Sequence, residues 1–111
     1  MSNSVFQSVI NQLKEATDRT IGVIDADGSV IACSDITQMG ERWSDVPLKI
    51  GSSFDNVVLC GQKTYKAMLS NSNFLDYAVF CSGEDELARG MCVAACVALT
   101  DAKTFSPINA I

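Results

Sequence analysis

The tightest constraint on this chain lies at residues 21–35, Ile-Gly-Val-Ile-Asp-Ala-Asp-Gly-Ser-Val-Ile-Ala-Cys-Ser-Asp. Two short runs of β-forming residues flank Asp27-Gly28, a dipeptide suited to the positive φ angles of a tight hairpin turn. Val23 and Ile24 lead in and Val30 and Ile31 lead out, so the hairpin carries apolar side chains on both faces. Such a hairpin cannot stand alone in water; further strands or a helix must cover it.

The rest of the chain supplies that cover. Val5, Phe6, Val9, Ile10, Leu13 and Ala16 recur at helical spacing, which predicts an amphipathic helix over 4–17. Ser4 with Gln7 three residues on fits a capping box at its start. Strands are expected at 20–25 and 29–34. The irregular stretch 35–53 has room for a short helix at 37–45, capped by Asp35 or Thr37 and ended by Pro47. Three strands in a meander follow at 54–60, 63–69 and 74–81, joined by Gly61-Gln62 and by the turn formers of 70–73. A long helix spans 84–103, with Ser82 or Gly83 as its cap, Glu84, Asp85 and Glu86 at its positive end and Lys103 at its negative end. The economical assembly is an α+β domain: one five-stranded antiparallel sheet with N- and C-terminal helices packed on it. It occupies 1–104 as a single domain, and 105–111, broken by Pro107, is expected to be a loose tail.

Met91 to Leu99 is apolar all round, whereas a helix on a sheet needs one apolar stripe. The spare face, Cys92, Val93 and Cys96, calls for a cover from the first helix or from another subunit. Homodimerisation through the helices is the favoured expectation.

Composition removes several function classes. The 111 residues carry a formal charge of −5, and the eight basic residues are scattered, which argues against a nucleic-acid surface. The start has neither a basic nor an apolar leader segment, and the nine-residue run at Met91–Leu99 falls short of the ~20 residues that span a bilayer. The expected location is cytoplasmic. Without histidine there is no Ser-His-Asp or Cys-His machinery. With no Cys-x-x-Cys pair either, a zinc site is not expected. The five cysteines read as small buried hydrophobes in reduced form. Asp25, Asp27 and Gly28 lack the spacing of a calcium loop, and turn chemistry accounts for them. Glycine-rich phosphate motifs are absent. The expectation is a non-enzymatic domain without cofactor.

One candidate binding site remains. Ser34 and Asp35 leave the second strand where the backbone turns irregular, and Arg42 and Trp43 follow. Polar groups at a strand-to-loop junction are a common way to hold a small polar ligand, here in a pocket between the sheet and residues 35–53. The plainer alternative is that Trp43 caps the core and Arg42 pairs with a surface carboxylate.

Residues 21–40 resemble the N-terminal sensor region of bacterial sugar-diacid transcriptional regulators, through Asp25, Gly28, Ile31, Ala32, Asp35 and Gly40. Cys33 stands where that family has serine and Gln38 where it has arginine, the natural partner of a carboxylate ligand. PAS-, GAF- and Cache-type sensors share the same hairpin pattern. The order of elements also resembles the roadblock/profilin-like group, whose members are dimeric scaffolds for regulatory partners. The resemblance implies a cytosolic sensory domain that binds a small polar metabolite as a homodimer in transcriptional regulation, either a fragment of a regulator or a stand-alone module. The alternative it implies is a roadblock-type interaction scaffold.

Overall fold

The computed structural model describes residues 2–51, 57–69 and 75–109, with side chains over 6–50, 57–68 and 77–100. Helix α1 (Ser2–Leu13) runs into a 3-10 turn at Lys14–Ala16 and then strand β1 (Ile21–Asp25). Strand β2 (Val30–Cys33), a 3-10 turn at Ile36–Gln38 and helix α2 (Val46–Gly51) follow. Strands β3 (Val57–Cys60), β4 (Lys63–Leu69) and β5 (Leu75–Ser82) lead to helix α3 (Glu86–Asn109). The strands form one antiparallel sheet in the order β2-β1-β5-β4-β3, so hairpin and meander join where β1 pairs with β5. This is the expected α+β architecture with a five-stranded sheet and terminal helices packed on it.

Each face of the sheet buries its own core. Ile21 and Val23 of β1, Ala32 of β2 and Val79 and Cys81 of β5 meet Phe6 and Ile10 of α1 and Ala88, Cys92, Ala95 and Leu99 of α3. Ile24, Val30, Cys33, Tyr65, Ala78 and Phe80 point the other way, onto Val46 and Ile50 of α2. Strand alternation alone would send Val30 and Ala32 to the same face. A bulge lets them part: Val23 pairs with Ala32 but Ile24 with Val30, which leaves Ile31 as the extra residue.

The hairpin turn is one residue wider than Asp27-Gly28. The Gly28 amide donates to the Asp25 carbonyl at 3.0 Å, and the Asp25 carboxylate accepts from the amides of Asp27 and Ser29. Only Gly28 takes a positive φ there, 87°. A Cβ on Gly28 would also strike the Trp43 carbonyl, whose own amide donates to the Gly28 carbonyl at 2.8 Å. At the β3–β4 turn both Gly61 and Gln62 have positive φ, 58° and 64°, as a two-residue mirror-image turn demands. The turn expected at 70–73 lies outside the described residues.

Two local expectations change. Residues 37–45 are not a helix, because 40–43 are drawn out along the outer edge of β2. The Val30 amide donates to Glu41, the Gly40 amide donates to Val30, and Ser29 bridges Arg42. Pro47 therefore does not end a helix; it sits in the first turn of α2, where a missing amide costs nothing and a fixed φ helps. Helix α3 starts at Glu86 with Asp85 as its cap, and it extends to Asn109 rather than stopping at Lys103.

Gln7 does not close a capping box with Ser4, since α1 already begins at Ser2. Its side-chain amide instead behaves like a neighbouring strand: Oε1 accepts from the Cys33 amide and Nε2 donates to the Cys33 carbonyl, both at 3.0 Å. With 40–43 at one end and Gln7 at the other, the edge of β2 is satisfied by its own chain. Gln7→Leu keeps the volume and removes both bonds, so it should destabilise the fold by roughly 2 kcal/mol, about 1 per bond. Denaturant unfolding checks this against Asn11→Ala, which removes only the surface partner of Gln7. A loss below about 0.5 kcal/mol would mean the edge bonds are dispensable.

Candidate functional site

The polar groups of the molecule gather at one pole, where the α1–β1 link, the end of β2 and the β5–α3 link meet. Arg19 is the hub. Its guanidinium forms a fork with the Asp85 carboxylate, Nη2 to Oδ2 being 2.6 Å, and Nη1 also donates to the Ser82 carbonyl at 3.3 Å. Thr20 and Ser82 lock the two links together, the Ser82 amide donating to the Thr20 carbonyl and the Thr20 amide to the Ser82 hydroxyl. Asp85 also caps α3, accepting from the Ala88 amide at 3.1 Å.

These contacts push the Asp85 carboxyl down from 3.8 to about 2, chiefly through the Arg19 hydrogen bond and then the Ala88 amide. The sign follows from linkage: a depressed carboxyl stabilises the fold fully above its unfolded value and loses that contribution as pH falls from about 4 towards 2. Asp85→Asn should therefore flatten the acid limb of the stability profile across that window. An unchanged slope in an acid titration would remove Asp85 from the account.

Ser34 and Asp35 lie at this pole. Ser34 continues the β1–β2 pairing, its amide donating to the Ile21 carbonyl at 2.8 Å and its Oγ accepting from the Ile21 amide at 3.0 Å. Asp35 opens the 3-10 turn and accepts from Thr37 Oγ1 at 2.6 Å, from the Thr37 amide at 3.1 Å and from Gln38 Nε2 at 3.3 Å. Those bonds, led by the Thr37 hydroxyl, hold its carboxyl below the usual range. Together with Lys14, Thr17, Asp18, Arg19 and Thr20, the pair lines an open cleft of about 380 Å³. Adjoining clefts of about 350 Å³ and 460 Å³ also have Arg19 in their walls.

Arg42 and Trp43 lie elsewhere. They pair with Ser29 and Gly28 at the hairpin end, five residues and so roughly 16 Å of strand away from Ser34. Trp43 packs edge-on against Phe80 at 4.9 Å, carries the Lys63 ammonium over its ring at 5.1 Å and donates its indole N–H to Glu41. It serves as a lid on the second core. Arg42 is exposed. The structure thus brings together Ser34 with Asp35 and Arg42 with Trp43, but not the two pairs. The space expected between the sheet and the segment after β2 is filled by Val46, Ile50, Tyr65 and Phe80. The residues that sequence reasoning passed over are Lys14, Thr17, Asp18 and Arg19. Their signal is a polar run placed between an apolar helix and an apolar strand.

Among the described residues, no three His, Cys, Asp or Glu side chains converge as metal ligands, and no helix is long and apolar enough to cross a membrane. Fold and site define an α+β domain with filled sheet faces and a polar, solvent-open pole. No family model matches the chain, and no curated protein is similar to it in sequence. Among solved structures, the chain is similar in backbone course to part of an extracellular ligand binding receptor from Desulfohalobium retbaense DSM5692. The identity is 16% and the TM-score 0.48, over 69% of this chain and 14% of the receptor's.

Proposed function

We propose that the chain is a non-enzymatic cytosolic sensory domain, in the service of transcriptional regulation, that holds a small polar metabolite at the Arg19 pole. The observation that carries this reading is the cleft itself. Three hydroxyls (Thr17, Thr20, Ser34), two cations (Lys14, Arg19) and two carboxylates (Asp18, Asp35) face one open space of metabolite size. Such a set suits a compact molecule bearing both acidic and donor groups, such as an amino acid or a hydroxy diacid. The resemblance of residues 21–40 to sugar-diacid sensors supports the same class.

A thermal-shift panel of dicarboxylates, hydroxy acids, amino acids and nucleotides tests it. A true ligand at 100 times its Kd should stabilise by about 2.7 kcal/mol, a shift of several degrees. Lys14→Ala and Asp18→Ala change exposed side chains and should abolish that shift while leaving the unliganded protein's Tm in place. A flat panel, or a shift indifferent to both variants, sinks the reading.

One observation favours a second reading, a dimeric interaction scaffold. Cys92 is buried in the core, where its thiol reaches the Thr64 carbonyl, and Cys96 is half-buried against the same core. What α3 leaves outside is Leu87, Val93 and Val97, 55%, 40% and 60% exposed. A helix-mediated homodimer would use that stripe. Sedimentation should then show a dimer that Val93→Glu with Val97→Glu dissolves, alongside a flat metabolite panel.

A further inference from the structure

Of the five cysteines, three are sealed in the cores. Burial pushes the thiols of Cys33 and Cys81 up and that of Cys92 up to about 12, so they are poor nucleophiles. Cys60 has different surroundings. It ends β3 half-exposed, and the Lys49 ammonium of α2 donates to its sulfur at 3.3 Å. Asp45, one helical turn before Lys49, sits 3.7 Å from the same ammonium. The bond to Cys60, followed by the charges on Cys60 and Asp45, raises the Lys49 pKa, which keeps that nitrogen protonated. A second cation, Lys63, is the cross-strand partner of Cys60 and hangs over the Trp43 ring. Two helix- and strand-borne cations thus flank one accessible sulfur, an arrangement that the packing of Cys33, Cys81 and Cys92 does not need and does not share.

We propose that Cys60, paired with Lys49, is a thiol-modification site that exchanges with anionic low-molecular-weight disulfides. The Cys60 thiol gives its proton to solvent, and the resulting thiolate attacks one sulfur of the disulfide. A new S–S bond forms, the old one breaks, and the departing half leaves as a thiolate that takes up a proton. Cys60 ends oxidised, as a mixed disulfide, and the released half ends reduced. Lys49 offsets negative charge on the sulfur, and the Lys63 ammonium adds attraction for an incoming anion.

The test is timed labelling of the intact protein with oxidised glutathione, and separately with iodoacetamide, each cysteine being followed by peptide mass spectrometry. Cys60 should react several-fold faster than half-buried Cys96, and Cys33, Cys81 and Cys92 should react only on unfolding. Lys49→Gln, on an exposed side chain, should slow Cys60 by about threefold for each tenfold loss of thiolate, because part of that loss returns as greater intrinsic nucleophilicity. Lys49→Arg should keep most of the rate. Circular dichroism confirms that each variant is folded, and Cys60→Ser confirms the assignment of the label. If Cys60 labels no faster than Cys96, or Lys49→Gln labels like the parent in a folded protein, the pair is packing and the proposal falls.

Discussion

Phe80→Ala should cost this domain about 3–5 kcal/mol, the range for deleting a fully buried aromatic ring whose site cannot collapse. Phe80 has no exposed surface, lies on the central strand β5 and stacks edge-on with Trp43 at 4.9 Å, with Tyr65 at 6.3 Å. It is the piece on which α2, the lid tryptophan and β4 all rest. The loss should appear as a lower urea midpoint with quenched or shifted Trp43 fluorescence, since the indole would lose its neighbour. A change below about 1 kcal/mol would mean that the second core is loose.

Gly22→Ala is expected to cost about 3 kcal/mol by the opposite mechanism, overfilling. Gly22 lies in β1 between β2 and β5, and a Cβ there would strike the Ala32 carbonyl and come within 2.6 Å of Phe80 Cζ. The ring fills the space that the absent side chain leaves. The two substitutions should therefore couple: in the Phe80→Ala background Gly22→Ala should lose about 1 kcal/mol less, because half of its clash is gone while the backbone half remains. Strict additivity in the double-mutant cycle would show that the carbonyl contact alone sets the penalty.

Much of the fold was legible because its signals are local. The Asp-Gly turn, the Gly61-Gln62 turn, the apolar stripe of α1 and the capped start of α3 each place an element within a few residues of its position. The misplacements share a physical origin in long-range demand. Gln7 reads as a capping residue until Cys33, 26 positions on, claims both ends of its amide. Residues 40–43 carry no alternation to mark them, and only the unpaired edge of β2 gives them a strand-like course. Pro47 punctuates a helix in either direction, and sequence cannot say which. For the candidate site, Ser34 and Asp35 stood out because a polar pair ended an apolar strand. Arg42 and Trp43 were drawn into the same expectation by proximity in sequence, while an antiparallel return carried them to the opposite end.

The sealing of β2 by Gln7 ties the fate of two distant segments together. A helix that peels away from the sheet leaves behind a strand with bare amides and carbonyls beside Ile31 and Cys33, which is a template for pairing with another molecule. Detachment of α1 is thus the opening through which this protein would aggregate, and one proton reports it. The Cys33 amide should exchange with solvent at the free energy of helix release, and in Gln7→Leu it should exchange first among the amides of its strand.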